Sequence, residues 1–184
     1  MKKRTKQPTL KTPRLILNPF ILGDASEVQA ICSNRMIADT TAHIPHPYNK
    51  TMAEDWIQTH QNGYENGTLV CFAMRSFTCN HLIGAISLAI DQTSDRGELG
   101  YWIREEDWKI GYCTEAGQAI LAFGFEHLKV NKIKAEHLTR NSASGKVLQK
   151  LGFKKEGILK QHFKKWDVYE DIAVYGLCRA DYRP

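Results

Sequence analysis

The chain has 184 residues, 42% of them hydrophobic and 24% charged, with a formal net charge of +5. That is enough chain for one globular domain with a sizeable core, and the composition is that of a folded protein rather than a disordered or fibrous one. No apolar run is long enough to span a bilayer, and the five cysteines, irregularly spaced and without a C-x-x-C pair, argue against a disulfide framework or a zinc site.

In chain order, the basic stretch Met1–Lys11 has no apolar run behind it. It therefore reads as a flexible arm, residues 1–11, rather than a secretory signal. That leaves residues 12–184 as a single domain, with reduced thiols in a cytoplasm as the expected setting. Arg14–Asn18 reads as a strand, and Asp24 is placed to cap a helix running to about Asn34. Pro45 and Pro47 make the His43–Asn49 stretch a loop. Thr51 with Glu54 resembles a capping box opening a helix to about Tyr64, which Asn62-Gly63 and Asn66-Gly67 end. Thr68–Ser76, His81–Ile90 and Arg96–Ile103 are strand-like, and their short connections predict antiparallel neighbours. Tyr112–Leu128 predicts a helix apolar nearly all round, hence buried. Lys132–Leu138 follows as a strand, Ser142–Leu151 as a short helix ended by Gly152, and strands from Phe153 and over Val168–Leu177 close the chain. The result is a mixed α/β pattern with a strand–helix–strand crossover in its second half.

Two stretches carry chemistry. In Gly97–Ala116 a strand enters a turn and a buried helix leaves it. The unpaired amides and positive dipole end of that helix suit a pyrophosphate, Gly111 allows close backbone approach, and Lys109 adds a cation. An ordinary strand–helix turn would read the same way. In Asn141–Phe153 a polar start opens a short helix, with Ser144 three residues after Asn141. Asn141 also suits a plain helix cap.

Together these stretches resemble the GNAT acetyltransferase superfamily, and within it the ribosomal-protein N-terminal acetyltransferase branch. The marks are Thr12-Pro-Arg-Leu15, Glu98-Leu-Gly-Tyr-Trp102, Gly111-Tyr-Cys-Thr-Glu-Ala116, Asn141-x-x-Ser144 and Leu151-Gly-Phe153. The resemblance implies a mostly antiparallel, splayed α/β sheet flanked by helices, with acetyl-CoA as co-substrate between the fourth and fifth strands and no metal. It assigns backbone groups of Tyr101 and Ile103, and the side chain of Asn141, to the pantetheine arm. The superfamily's phosphate loop falls on Trp108, Lys109, Ile110, Gly111, Tyr112 and Cys113, with Thr114 following in the helix. Trp108 stands where Arg or Gln is usual, Lys109 where glycine is frequent, and Cys113 where Gly or Ala is expected. Glu105, Glu106 and Asp107 would repel phosphate, so they are expected to face solvent.

Acetyl transfer to an amine needs a free amine, a polarised thioester and protonation of the leaving thiolate. The resemblance makes Ser144 the candidate for the thiolate, since the tyrosine many members place one turn further on is Leu148 here. Glu98 and His162 are both candidates for the base. Cys113 is considered as a covalent nucleophile and set aside, as is His43-x-x-His46 as a metal pair, which lacks a third ligand. The acceptor is an amine-bearing small molecule or a protein N-terminus, walled by Thr40–Tyr48 and Phe163–Tyr169, with Trp56 and Trp166 as further wall residues. Competing readings are an acyl-CoA-binding module without turnover and a basic nucleic-acid-binding protein. No glycine–aromatic RNA-binding pattern supports the latter, so neither nucleic acid nor membrane is the expected partner. A homodimer through edge strands is compatible with the pattern.

Overall fold

The computed structural model of the protein describes residues 6–183. In it, eight strands form one sheet in the order β1-β2-β3-β4-β5-β6-β8-β7. They are β1 Leu10–Lys11, β2 Leu15–Asn18, β3 Leu69–Ser76, β4 Leu82–Asp91, β5 Arg96–Ile103, β6 Lys132–Leu138, β7 Lys154–Lys165 and β8 Val168–Cys178. Five α-helices accompany them: α1 Ala25–Cys32, α2 Arg35–Thr40, α3 Lys50–Asn66, α4 Tyr112–Ala122 and α5 Ser142–Lys150. Among the described residues no helix is long and apolar enough to cross a membrane.

All neighbouring strands are antiparallel except β5 and β6. A parallel pair needs a crossover, and α4 supplies it. The two strands pair only from Arg96↔Lys132 to Leu99↔Ala135. Beyond that point β5 continues on β4 alone, as far as Ile103↔Gly84, while β6 continues on β8 alone, as far as Leu138↔Ile172. The sheet therefore opens into a V.

Burial follows the period of two expected of strands. On β3, Val70, Phe72 and Met74 meet α4 residues such as Ala116, Ile120 and Leu121, while Cys71 and Ala73 meet Val28, Ala53 and Ile57 of α1 and α3. Both faces of β3 are covered, which explains its almost unbroken apolar run.

Several boundaries differ from the sequence expectation. Residues 1–5 of the expected arm lie outside the described residues. Its remainder is built into the fold: Gln7 is buried and donates to the Cys71 carbonyl at 2.7 Å, and Leu10 and Lys11 pair with Leu17 and Ile16. The capping box is not formed. Asn49 caps α3 instead, accepting from the Met52 amide at 3.0 Å, so the helix starts one residue before Thr51. Asn62-Gly63 does not end α3, which runs to Asn66 and stops at Gly67 in the left-handed region. Asp24 does not cap α1. Its carboxylate accepts from the Ile21 amide and from Arg75; α1 stops at Cys32, close to the expected end, and Asn34 caps a further short helix, α2, that was not expected. The last turn expected of α4 is a π-turn, Phe123–His127.

Candidate active site

The splay leaves one edge of β5 without a strand partner. The Arg104 amide donates to the Ile83 carbonyl at 2.8 Å. In an antiparallel ladder alternate residues turn both backbone groups the same way. Trp102 therefore faces β4, and Tyr101 and Ile103 turn their backbone groups toward the opening. The Ile103 carbonyl is taken by the Trp108 indole at 2.8 Å, leaving its amide and both groups of Tyr101 on the open edge.

A single-turn 3₁₀ helix, Glu105–Asp107, leads from β5 into the loop before α4. Lys109 has φ 65° and Gly111 φ 96°, so the backbone turns left-handed twice within three residues. A Cβ at Gly111 would meet only Arg14 at 3.5 Å; conformation rather than space makes glycine fit there. Among the described residues the amides of Lys109, Ile110, Gly111, Tyr112, Cys113 and Thr114 have no acceptor, whereas that of Glu115 donates to the Gly111 carbonyl at 3.1 Å. Such a nest at a helix N-terminus is an anion cradle. Trp108 departs from the expectation, because its amide already donates to the Glu105 carbonyl at 3.1 Å.

A brace from the opposite end of the chain holds this loop. The Glu115 carboxylate, in the first turn of α4, accepts from Thr12 Oγ1 at 2.6 Å, the Arg14 amide at 2.8 Å and Arg14 Nε at 2.6 Å. Arg14 Nη1 reaches the Ile110 carbonyl at 3.3 Å, and the guanidinium lies over the Tyr112 ring. Burial raises the Glu115 pKa, but the bonds from Thr12 and Arg14 outweigh it and hold the carboxyl below its usual range. Thr12 and Arg14 are part of a recognised motif whose task sequence reasoning missed.

Loop, open edge and α5 enclose a cleft of about 1000 Å³. Its lining includes Glu98, Tyr101, Ile103, Trp108, Lys109, Gly111, Tyr112, Cys113, Thr114, Asn141, Ser144 and His162. Of the expected site residues Ile110 alone is outside this lining; its side chain is 46% exposed, although its amide belongs to the loop. Glu105 and Glu106 are exposed as expected. Asp107 is not: it is buried, lines the cleft and accepts from Arg104 at 2.8 Å.

Across the V, Tyr101 Oη and Ser144 Oγ lie 2.7 Å apart, and Tyr101 Oη also reaches the Ser144 carbonyl at 3.3 Å. This bond joins β5 on one arm of the sheet to α5 on the other. Burial, reinforced by nearby Cys113, raises the Tyr101 phenol, so it stays protonated. The side chain of Tyr101 is thus a site group that sequence reasoning, attending to its backbone, did not find. Asn141 accepts from the Ser144 amide at 3.1 Å and donates to the Thr40 carbonyl at 3.0 Å, so its amide fixes α5 and the neighbouring loop. Burial raises the Cys113 thiol, although the first turn of a helix favours a thiolate.

The two candidate bases stand apart from this pair. Glu98 is bound to Lys134 at 3.0 Å, and Lys134 to Glu136 at 3.1 Å. His162 is exposed on β7, beside the irregular register between Leu159 and Phe163. On the acceptor side the loop Thr40–Tyr48 forms a wall with Met52 and Trp56, and Trp56 also packs on Phe20, His60 and Trp102. Trp166 is not in the lining; it lies under the Arg35 guanidinium.

Residues 14–154 match the family described as "Acetyltransferase (GNAT) domain". The chain belongs to the GNAT acetyltransferase family. Over 94% of its length and 97% of the relative's, it is 31% identical to a Bacillus subtilis protein described as "Uncharacterized N-acetyltransferase YoaA". It is 28% identical to the "Ribosomal-protein-serine acetyltransferase" of Escherichia coli, over 65% of this chain and 64% of that one. A solved structure of RimL, a ribosomal L7/L12 α-N-protein acetyltransferase in complex with coenzyme A, superposes with a TM-score of 0.85, covering 93% of this chain and 98% of that one at 16% identity. The GNAT assignment makes the chain an acetyltransferase, and the open V-shaped sheet is the fold of its relatives.

Proposed function

We propose that the protein transfers the acetyl group of acetyl-CoA to a primary amine, the α-amine of a protein chain, by direct attack within a ternary complex. The observation that carries this reading is the continuity of open β5 edge, unpaired loop amides and the Tyr101–Ser144 pair within one cleft. The amides of Lys109 to Thr114 suit the diphosphate of the cofactor, and the main chain of Tyr101 and Ile103 suits the amide groups of a pantetheine arm. Asn141 holds the start of α5 so that Ser144 faces the cleft.

The chemical step then falls to side chains of this chain. A protonated Tyr101 donates to Ser144, which frees the serine hydroxyl to donate toward the departing sulfur. A thiol raised by burial makes Cys113 a poor nucleophile, which favours direct transfer over an acyl-enzyme. Glu98 and His162 both line the cleft as bases for the ammonium of the acceptor. His162 has no carboxylate or lysine bound to it among the described residues, whereas Glu98 is held by Lys134.

The name of the Escherichia coli relative supports a protein as the acceptor. One observation favours a small amine instead. Lys165, buried on β7, donates to the carbonyls of Thr41, Ala42 and Ile44 and so ties the acceptor-side loop to the β7–β8 hairpin. A wall held in this way narrows that end of the cleft. Free-thiol release from acetyl-CoA, measured with peptides bearing a free α-amine and with a panel of small amines, separates the two. Turnover with peptides and none with small amines is the expected result. Acetyl-CoA binding without turnover on any amine would reject the enzymatic reading in favour of a binding module.

A further inference from the structure

A second group of reactive side chains stands at the β3–β4 turn, where Cys79 and His81 lie outside the cleft lining. Cys79 is exposed there, and its Sγ lies 2.8 Å from His81 Nδ1 and 3.3 Å from Ser76 Oγ. The far ring nitrogen of His81 has no hydrogen-bond partner among the described residues and lies 3.7 Å from the carboxylate of Asp107. Asp107 is buried and fixed by Arg104 at 2.8 Å. Thiol, imidazole and carboxylate thus stand in line, the first two drawn from the β3–β4 connection and the third from the 3₁₀ helix after β5.

We propose that Cys79 and His81 form a thiolate–imidazolium pair that exchanges with small-molecule disulfides, making Cys79 a site of reversible modification. The thiolate is the nucleophile in such exchange, and a neighbouring imidazolium both stabilises it and keeps it accessible. Sγ attacks one sulfur of the disulfide. A bond forms between Cys79 and that sulfur, the original S–S bond breaks, and its electron pair leaves with the second sulfur as a thiolate. Cys79 is oxidised and the departing half is reduced, so no further oxidant is needed. The carboxylate of Asp107 stands 3.7 Å from the far side of the imidazole ring. Other charges near the turn are the Arg104 guanidinium and, beneath it, Arg75, which donates to the Asn80 carbonyl and is neutralised by Asp24 and Glu27.

The other cysteines differ in kind. Burial raises the thiols of Cys32, Cys71 and Cys113, whereas hydrogen bonds to Ser76 and His81 bring Cys79 down from 9.0 to about 6. Cys178 is exposed and has no histidine bonded to it among the described residues. It is the internal comparison.

The test is the rate of exchange with a chromogenic aromatic disulfide between about pH 5 and 9, resolved by site through peptide mass spectrometry, with an unstructured cysteine peptide as reference. At pH 6 about half of Cys79 is ionised against about a thousandth of an ordinary thiol, and the lower intrinsic nucleophilicity of an acidic thiolate returns roughly a factor of 20. Cys79 is therefore expected to react roughly 10- to 30-fold faster than the peptide at pH 6. Cys178 should not show this excess, and His81→Asn should remove it. A Cys79 rate at pH 6 equal to that of the peptide, or one unaffected by His81→Asn, overturns the proposal. The wild-type measurement stands even if the variant misfolds.

Discussion

At the scale of single residues, two groups make the site's chemistry and stability legible. Ser144 is held at both ends: its amide is bonded to Asn141 and its hydroxyl to Tyr101. Removing the hydroxyl leaves the cap and the cofactor loop intact, so Ser144→Ala is expected to lower kcat by about 10²-fold, with little change in KM for acetyl-CoA. Steady-state kinetics at saturating amine checks this, and an unchanged kcat takes Ser144 out of the mechanism. His60 concerns stability instead. It is 5% exposed between Phe20 and Trp56, neither ring nitrogen has a hydrogen-bond partner among the described residues, and burial lowers its pKa from 6.5 to about 4. In the unfolded chain the imidazole binds a proton below about pH 6.5, while the folded protein resists it until about pH 4. The unfolded state therefore gains protons first as pH falls, and stability drops across that window, by about 2 kcal/mol at pH 5. Urea midpoints at pH 7.5 and 5 should show the loss, and His60→Phe should shrink it. Equal pH dependence in both proteins would place the acid sensitivity elsewhere.

At the scale of elements, the turn into α4 depends on a partner a hundred residues away. Arg14 and Glu115 do not line the cleft, yet Glu115 accepts three hydrogen bonds from the β1–β2 turn, and Arg14 holds the Ile110 carbonyl. Glu115→Ala frees the loop and is expected to weaken acetyl-CoA binding about fivefold, equivalent to about 1 kcal/mol. Glu115→Gln keeps one acceptor and should recover part of it. Calorimetric affinity equal to wild type would mean the loop holds its shape unaided, whereas a lower kcat at saturation would point to a wider disturbance.

The same elements mark what could be read beforehand. The strands from Leu69 to Ile103 and the α4 crossover were legible because alternation and helical periodicity are local. The positions of the Tyr101 backbone, Gly111 and Ser144 beside the cleft were legible through motifs, and the side chain of Tyr101 was not. The insertion of β8 between β6 and β7 was not, because nothing in β7 or β8 specifies which edge joins β6. Nor was the brace, since Thr12 and Glu115 meet only after folding. Helix α2 has a local sign, its cap Asn34, but an asparagine at the end of an expected helix is easily taken for a stop rather than for the start of another helix.

At the scale of the whole molecule, the V is both binding site and weak point. Its two arms share only the four paired residues from Arg96 to Leu99 with Lys132 to Ala135, after which the Tyr101–Ser144 bond joins them across the opening. A cofactor lying along the open edge of β5 and against α5 would add contacts to both arms that the unfolded chain cannot make. By mass action, coenzyme A at about a hundred times its Kd should add about 2.7 kcal/mol. For a chain of this length each kcal/mol is worth roughly 2–4 °C, so Tm should rise by roughly 5–11 °C. In hydrogen exchange, added protection should concentrate in the amides of Lys109 to Thr114 and in Tyr101 and Ile103, because these face the opening without partners. Stabilisation without protection at these amides would place the ligand elsewhere on the protein. No stabilisation at millimolar coenzyme A would remove the cradle itself, and with it the acyl-transfer reading of the cleft.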